Sequence, residues 1–254
     1  MSSQFTDSPA VLHRPAGVLG ILAFDTSSHI TAVAVCVGDR VLAANEAQTE
    51  ERHAEILLPK LQQCLAQAGL ALSDIDLIGV GVGPGSFTGV RVGVATAKGL
   101  GLALRKPVVP VISLEALAWE AFAQTECDLV ASCLDAFKGE LFAALYRRGP
   151  AGPEVVQTPF HAVPSEVAER LAAISGHERV AIVGPGVQRY PEFAAALPPH
   201  MQPEMPSLIA PAARVIAAMA ARAHARGDVP DLARVAPVYL RDSDAQLPKQ
   251  PLRL

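Results

Sequence analysis

The chain has 254 residues, of which 50% are hydrophobic and 18% charged, enough to bury a sizeable core as one two-lobed unit or as two small domains. With a formal net charge of −4 it lacks the basic footprint of direct nucleic-acid binding, so an RNA substrate would be reached only indirectly, through a partner. The four cysteines include no CxxC pair, which is typical of reduced thiols, and we expect a soluble, cytoplasmic protein without a membrane segment.

The first half of the chain predicts a leader and one α/β unit. Residues 1–16 are rich in Ser, Thr and Pro without apolar periodicity, and we expect a disordered leader there. Beyond it, hydrophobic periodicity predicts three strands, a helix, a strand and a helix, followed by one more strand and helix. We expect these elements at Val18–Asp25, Ile30–Val37, Val41–Ala47, Arg52–Ala68, Asp76–Gly83, Phe87–Leu104, Val108–Ile112 and Leu114–Ala123.

The second half repeats this order. The tetrapeptide Val-Gly-Pro-Gly follows a strand-like run twice, at Val82–Gly85 and Val183–Gly186, and Asp25 and Asp135 end two matching strands. A supersecondary unit that occurs twice indicates a duplicated α/β fold. We expect the second set of strands at Leu129–Asp135, Glu140–Tyr146, about Glu154–Thr158 and Val180–Val183, with helices near Ser165–Ala173 and Ser207–Arg226.

Three strands, a helix, a strand and a helix, given twice, is the order of the actin-like, RNase H-like (ASKHA) fold. The sequence thus predicts a first lobe at residues 17–112 and a degenerate second lobe at 113–254, with helix 207–226 packing back onto the first lobe. The alternative is a single doubly wound α/β sheet in which the tetrapeptide repeats by chance.

The helix after the first Val-Gly-Pro-Gly is the most unusual segment. The loop before it fits neither GxxxxGK[ST] nor GxGxxG, so anion binding is one interpretation and close packing is the other. Small residues recur every fourth position, at Gly89, Gly93, Ala97 and Gly101. Since each interior glycine costs about 1 kcal/mol relative to alanine, the stripe indicates close approach to a helix of the same chain or of another subunit.

Four motifs carry a resemblance to a known family. They are GPGSFTGVRVG, the opening ILAFDTSSHITAVAV, the stretch RHAEILLP at Arg52–Pro59 and the closing APVYLR at Ala236–Arg241. Together they resemble the TsaB (YeaZ) family, over about Leu19–Lys106 and again at the C-terminal motif. The resemblance implies a catalytically reduced paralogue of TsaD, the ASKHA protein that transfers a threonylcarbamoyl group to the tRNA adenosine next to the anticodon.

The resemblance also shows which chemistry this sequence lacks. Where TsaD-like proteins carry a metal-binding His-x-x-x-His pair, this chain has Ser113 and Leu117, so we expect no metal site. After the first strand, His29 and Ile30 stand in place of an acidic pair, and we assign no catalytic residue. The candidates for a remnant nucleotide-binding site are Asp25, Thr26, Ser27, Gly83, Gly85 and Ser86, although Asp25 could equally cap the turn that follows it.

Two functions follow as hypotheses. The first is a non-catalytic partner that binds a TsaD-like transferase together with a TsaE-like ATPase, with ATP or ADP held at an interface of the complex. The contact would use the first lobe's helices, or the same face in a homodimer. The predicted interface residues are Leu58, Leu61, Leu65, Gly89, Gly93, Ala97 and Gly101. The second hypothesis is a stand-alone ASKHA nucleotide hydrolase or carbamoyl transferase.

Overall fold

The computed structural model describes residues 16–48, 53–203, 208 and 210–241. The predicted leader therefore lies, except for Ala16, outside the described residues, as does the beginning of the helix predicted at 207–226. Among the described residues, none of the helices is long and apolar enough to cross a membrane.

The first lobe is built on a five-stranded mixed sheet. Its strands are β1 (Gly20–Asp25), β2 (Ile30–Val37), β3 (Arg40–Gln48), β4 (Leu77–Gly81) and β5 (Val108–Val111), in the spatial order β3-β2-β1-β4-β5. Strand β1 is antiparallel to β2 and parallel to β4. Strands β1 and β4 are fully buried, because helices cover both faces of the sheet.

The second lobe repeats this topology. Its strands are β6 (Leu129–Phe137), β7 (Glu140–Gly149), β8 (Gly152–Ala162), β9 (Val180–Val183) and β10 (Met201–Pro203), in the spatial order β8-β7-β6-β9-β10. The antiparallel and parallel pairs fall at the same positions as in the first sheet. Two separate sheets of one topology confirm the duplicated actin-like fold and exclude the single doubly wound sheet. The short strand β10 was not predicted from the sequence.

Seven α-helices belong to the described part of the chain. They are α1 (His53–Ala68), α2 (Phe87–Leu104), α3 (Ser113–Phe122), α4 (Pro164–Ser175), α5 (Pro185–Arg189), α6 (Pro191–Ala196) and α7 (Ala213–Ala225). Helix α7 begins later than residue 207, after Pro211, because a proline lacks an N–H and restricts the residue before it. The long α2 of the first lobe corresponds to the short α5 of the second, so the two lobes are unequal.

The helices α1 and α2 cover one face of the first sheet, and α7 covers the other. Leu57 and Leu61 of α1 share a core with Val90 and Val94 of α2. On the opposite face, α7 lies so close to β4 that a Cβ added at Gly79 would be 3.1 Å from the Cβ of Ala220. Helix α3 packs instead on the second sheet. The outward sides of α1 and α2 are therefore left as a surface of the first lobe.

Candidate functional site

The carboxylate of Asp25 is buried at the end of β1 and accepts three hydrogen bonds from its own chain. Its Oδ1 accepts from the Ser27 amide at 2.7 Å and from Ser27 Oγ at 2.6 Å. Its Oδ2 accepts from Ser113 Oγ at 2.7 Å, and that hydroxyl accepts from the Gly83 amide at 3.1 Å. A Cβ at Gly81 would overlap the carboxylate, so strand β4 closes the remaining side.

Burial raises the pKa of Asp25, and the hydrogen bonds from Ser113 and Ser27 only partly oppose that rise. The carboxylate thus caps the turn after β1, as one of the two sequence interpretations allowed, and fixes that turn to the start of α3.

The glycine loop packs directly on the same turn. The Ser86 amide donates to the Ser27 carbonyl at 2.7 Å, and Ser86 Oγ caps α2 by accepting from the Gly89 amide at 3.2 Å. A Cβ at Gly85 would overlap the Ser27 carbonyl, which explains the glycine there. The structure thus brings the six candidate nucleotide-binding residues together, but it bonds the amides of Gly83 and Ser86 to protein atoms rather than leaving them for a phosphate.

The glycine stripe of α2 faces the interior of the lobe. Thr26 Oγ1 donates to the Gly89 carbonyl at 2.7 Å, and a Cβ at Gly93 would be 2.5 Å from the same hydroxyl oxygen. At the other end of the helix, a Cβ at Gly101 would be 2.5 Å from Cγ2 of Val108. The stripe therefore allows α2 to pack closely against the turn after β1 and against β5, both in the same chain.

This packing corrects the location of the predicted interface. Leu58 is 52% exposed. The other six predicted interface residues are buried, namely Leu61, Leu65, Gly89, Gly93, Ala97 and Gly101. Periodicity located the two helices correctly but could not tell which side of α2 its small residues face.

A different set of apolar residues is exposed on the two helices, and we call it the outer face. It consists of Leu58, Pro59 and Ala66 of α1 and of Ala95, Gly99, Leu102 and Ala103 of α2. Leu102 is 73% exposed, and nothing lies within 4 Å of a Cβ added at Gly99. The nearby Lys98 is turned away, since its Nζ donates to the Val235 carbonyl at 3.0 Å. The seven residues of the outer face are apolar and mostly small, and polar side chains are exposed on the same two helices, among them Glu55, Gln62, Gln63, Gln67 and Arg91.

An exposed stack of two aromatic rings and one guanidinium borders the beginning of α2. The Arg91 guanidinium carbon is 3.4 Å from the ring centroid of Phe87, and Arg91 Nε donates to Tyr239 Oη at 2.8 Å. Phe87 is 41% and Tyr239 47% exposed. These residues were not predicted as a site, although the helical spacing of Phe87 and Arg91 was a usable signal.

The C-terminal motif Ala236–Arg241 connects the two lobes, and we call it the C-terminal strap. The Val238 amide donates to the Val82 carbonyl at 2.8 Å in the first glycine loop. In the second lobe, Arg241 contacts the Glu140 carboxylate and donates to the Ala136 carbonyl at 3.2 Å. Burial tends to raise the pKa of Glu140, but hydrogen bonds from Arg241 and His161 outweigh burial and lower it. The ion pair at this end of the strap is thus maintained at neutral pH.

His53 holds the beginning of α1 to the same region. Its Nδ1 is 2.7 Å from Thr31 Oγ1, and its ring lies against Gly89, where a Cβ would be 3.0 Å from His53 Cδ2. Burial lowers the pKa of His53, so the neutral ring is favoured. Its contacts are structural, and they place α1 beside α2.

In the second lobe, the carboxylate of Asp135 is also hydrogen-bonded, but by different groups. Asp135 Oδ1 accepts from Tyr190 Oη and from the Phe137 amide, each at 2.8 Å. Burial and the hydrogen bond to Asp135 raise the pKa of Tyr190 to about 12, so the phenol stays a donor. Arg189 Nε lies 3.9 Å from Asp135 Oδ2. Both aspartates that end the duplicated strands are therefore paired with groups of their own chain.

The cleft between these two aspartate turns is small. It has a volume of about 100 Å³ and is lined by residues of both lobes, among them Ser28, His29 and Asp135. Pockets that enclose small molecules usually measure about 300–1,000 Å³. The cleft as described is therefore too small to enclose a nucleotide.

The duplicated sheets and their facing aspartate turns define a two-lobed protein of the ASKHA class. Residues 43–249 match the family model described as TsaD, tRNA N6-adenosine threonylcarbamoyltransferase. The chain is 31% identical over 226 residues to the tRNA threonylcarbamoyladenosine biosynthesis protein TsaB of Escherichia coli (strain K12), an alignment covering 89% of this chain and 96% of that protein. The chain therefore belongs to the TsaB (YeaZ) family.

Solved structures agree with this assignment. YeaZ from Pseudomonas aeruginosa superposes with a TM-score of 0.74 at 32% sequence identity. The superposition covers 87% of this chain and 100% of that chain. Component A of (R)-2-hydroxyglutaryl-CoA dehydratase from Acidaminococcus fermentans matches with a TM-score of 0.50 at 10% identity, covering 82% of this chain and 99% of that chain. The second likeness shows the shared fold alone.

The two positions that correspond to the TsaD-like histidine pair do not fit a metal ion. Ser113 Oγ is bonded to Asp25 and Gly83, and Leu117 is fully buried in the core of the second lobe. Neither side chain is among the histidine, cysteine and carboxylate ligands that transition metals prefer in proteins. Within the described ranges, no group of three His, Cys, Asp or Glu side chains could hold a metal ion.

Two glycines of α2 test this packing, because Gly93 faces Thr26 and Gly99 faces open space. We expect Gly93→Ala to lower the free energy of unfolding by about 1–3 kcal/mol, because the new methyl group displaces Thr26. Its matched control, Gly99→Ala, should raise that free energy by about 0.5–1 kcal/mol, because it removes backbone freedom without a clash. Urea denaturation of both variants measures the difference. Equal stability of the two variants would contradict an inward-facing stripe.

Proposed function

We propose that this protein is a non-catalytic partner subunit in the formation of threonylcarbamoyladenosine in tRNA, where it binds and activates a TsaD-like transferase. A TsaE-like ATPase would join the same complex. The relative from Escherichia coli is named as a biosynthesis protein for that modification. The observation that carries the non-catalytic role is the Asp25 carboxylate, whose two oxygens are both occupied by Ser27 and Ser113.

The outer face of α1 and α2 is the surface that we assign to the TsaD-like partner. It exposes Leu58 and Leu102, and a monomeric surface gains nothing from leaving such residues in water. On the same helix as Leu102, the exposed Ala95 and Gly99 allow the backbone of another helix to approach closely. A pair of helices from a TsaD-like protein would fit this surface, and in its absence a second copy of this chain would fit it too.

The tRNA itself would be bound by other subunits. The net charge of −4 offers little to a phosphate backbone. The contribution of this chain would then be to hold its partner in an active arrangement.

A charge placed on the outer face tests this assignment. We expect Leu102→Glu to weaken binding to the TsaD-like protein by about tenfold or more, because a carboxylate would be buried in an apolar contact. Calorimetric titration of the purified proteins measures the affinity. The matched control is Val155→Glu, an apolar position on β8 of the second lobe that is 56% exposed, which should leave the affinity unchanged. Equal affinity of the two variants would contradict the proposed surface.

Sedimentation of the same two variants in the absence of the partner separates the homodimer from the heterodimer. If the outer face also forms a homodimer, Leu102→Glu should be monomeric at concentrations at which the wild type and Val155→Glu associate.

Nucleotide binding distinguishes the proposed function from a stand-alone ATP-dependent enzyme. Because the cleft is small and its aspartates are paired, we expect no saturable heat when Mg-ATP is titrated into this chain alone. Any ATP or ADP would bind only at an interface of the complex, so the titration should become saturable after the TsaD-like partner is added. Tight binding and hydrolysis of ATP by the isolated chain would overturn the non-catalytic role.

A further inference from the structure

A second and larger cavity lies away from both the cleft and the outer face. It is bordered by α3, α7, the edge strand β5 and the turn between β7 and β8, and its volume is about 340 Å³. That volume falls within the range of about 300–1,000 Å³ typical of small-molecule sites. We call it the Trp119 cavity, after the indole that forms part of its wall.

The inner wall of the Trp119 cavity carries an unpaired acid. Glu115 stands one helical turn before Trp119 on α3, is partly buried and lines the cavity. Within the described part of the chain, no hydrogen bond is made to its carboxylate. Burial raises the pKa of Glu115, and the nearby charge of Arg226 partly offsets that rise. An unpaired carboxylate facing a cavity favours a ligand with a charged hydrogen-bond donor.

The edge of strand β5 adds a further acceptor, the carbonyl of Pro110. The amides of Ile78 and Val82 donate to the carbonyls of Pro107 and Val111, so these groups of β5 face β4. Because strand residues alternate, the carbonyl of Pro110 points toward the free edge, where β5 lines the cavity. Proline has no N–H to offer beside it. The interior thus presents oxygen acceptors, which suit an ammonium group.

Two arginines lie at the mouth of the Trp119 cavity. Arg222 lies with its guanidinium carbon 4.6 Å from the Trp119 ring centroid, and Arg226 is bonded through Nε to Asp228 at 2.8 Å. Both guanidinium groups line the cavity and are exposed to solvent, and we call them the rim arginines. Arginine binds carboxylates through two parallel hydrogen bonds. Glu154, an exposed acid, lines the cavity as well, so the mouth carries charges of both signs. The cavity therefore offers a partly buried acid inside and two arginines at its mouth, with apolar walls between.

We propose that the Trp119 cavity binds a small free amino acid, with the ammonium group against Glu115 and the carboxylate against the rim arginines. The side chain of the amino acid would lie between the indole of Trp119 and the apolar residues of β5. This site is independent of the proposed partner function, because it shares no residue with the outer face or with the cleft.

Tryptophan fluorescence tests the proposal directly, because the chain contains 1 tryptophan and it lies in the cavity wall. The full chain is titrated with free amino acids that have small, branched and acidic side chains. Each is compared with its methyl ester, which lacks the carboxylate, and with its N-acetyl derivative, which lacks the ammonium group. We expect a saturable fluorescence change with at least one parent amino acid, and about tenfold or greater loss of affinity for both of its derivatives.

A variant identifies the acid. Glu115→Gln keeps the shape of the side chain and removes its charge, so it should weaken amino-acid binding about tenfold or more. The matched control is Glu166→Gln, an exposed acid in the first turn of α4, which should bind like the wild type. Circular dichroism establishes that both variants are folded. If Glu115→Gln does not fold, the comparison of the three ligand forms on the wild type decides the question.

Three results would overturn the proposal. The first is the absence of any saturable change with all the amino acids at millimolar concentration. The second is binding of an ester or an N-acetyl derivative as tightly as its parent. The third is unchanged affinity of a folded Glu115→Gln variant.

Discussion

The buried carboxylate of Asp25 is the interaction on which the first lobe depends. It joins three separate segments, namely the turn after β1, the glycine loop after β4 and the first residue of α3, through Ser27 and Ser113. A carboxylate without these donors would be costly to bury, and with them it becomes a rigid junction. In an ASKHA protein that binds nucleotides, such an acid would have to remain free to approach phosphates or their metal. Here it is used to hold the fold together.

The position of α2 follows from that junction. The turn fixed by Asp25 presents Thr26 to the stripe of glycines, and the same turn accepts the hydrogen bond that starts the helix at Ser86. The glycines cost helix stability, but they allow the turn, strand β5 and the helix to share one core. With its small residues directed inward, α2 leaves Ala95, Gly99 and Leu102 on the outside beside α1. The C-terminal strap then ties the glycine loop to the second lobe.

Much of this architecture could be predicted from the sequence. The repeated Val-Gly-Pro-Gly and the paired aspartates marked equivalent points of a duplication, and hydrophobic periodicity located most of the strands and helices. The side of α2 that faces inward could not be predicted, because a small-residue stripe has the same sequence pattern whether it packs on a partner or on its own lobe. Only the position of Thr26 relative to Gly93, which depends on tertiary packing, distinguishes these cases. The Trp119 cavity was missed for a similar reason, since its walls combine β5 and α3 with α7, which follows much later in the sequence.

The central claim is that this protein acts through its outer face and not through its cleft. Reconstituted formation of threonylcarbamoyladenosine on tRNA, with all other components purified, tests it with two variants. Asp135→Asn alters the charge of the cleft while keeping an acceptor for Tyr190, and Gly99→Glu places a charge on the outer face. We predict a near wild-type rate of modification with Asp135→Asn and a large loss with Gly99→Glu that a higher concentration of the chain restores. Loss of modification with Asp135→Asn and full activity with Gly99→Glu would contradict the account.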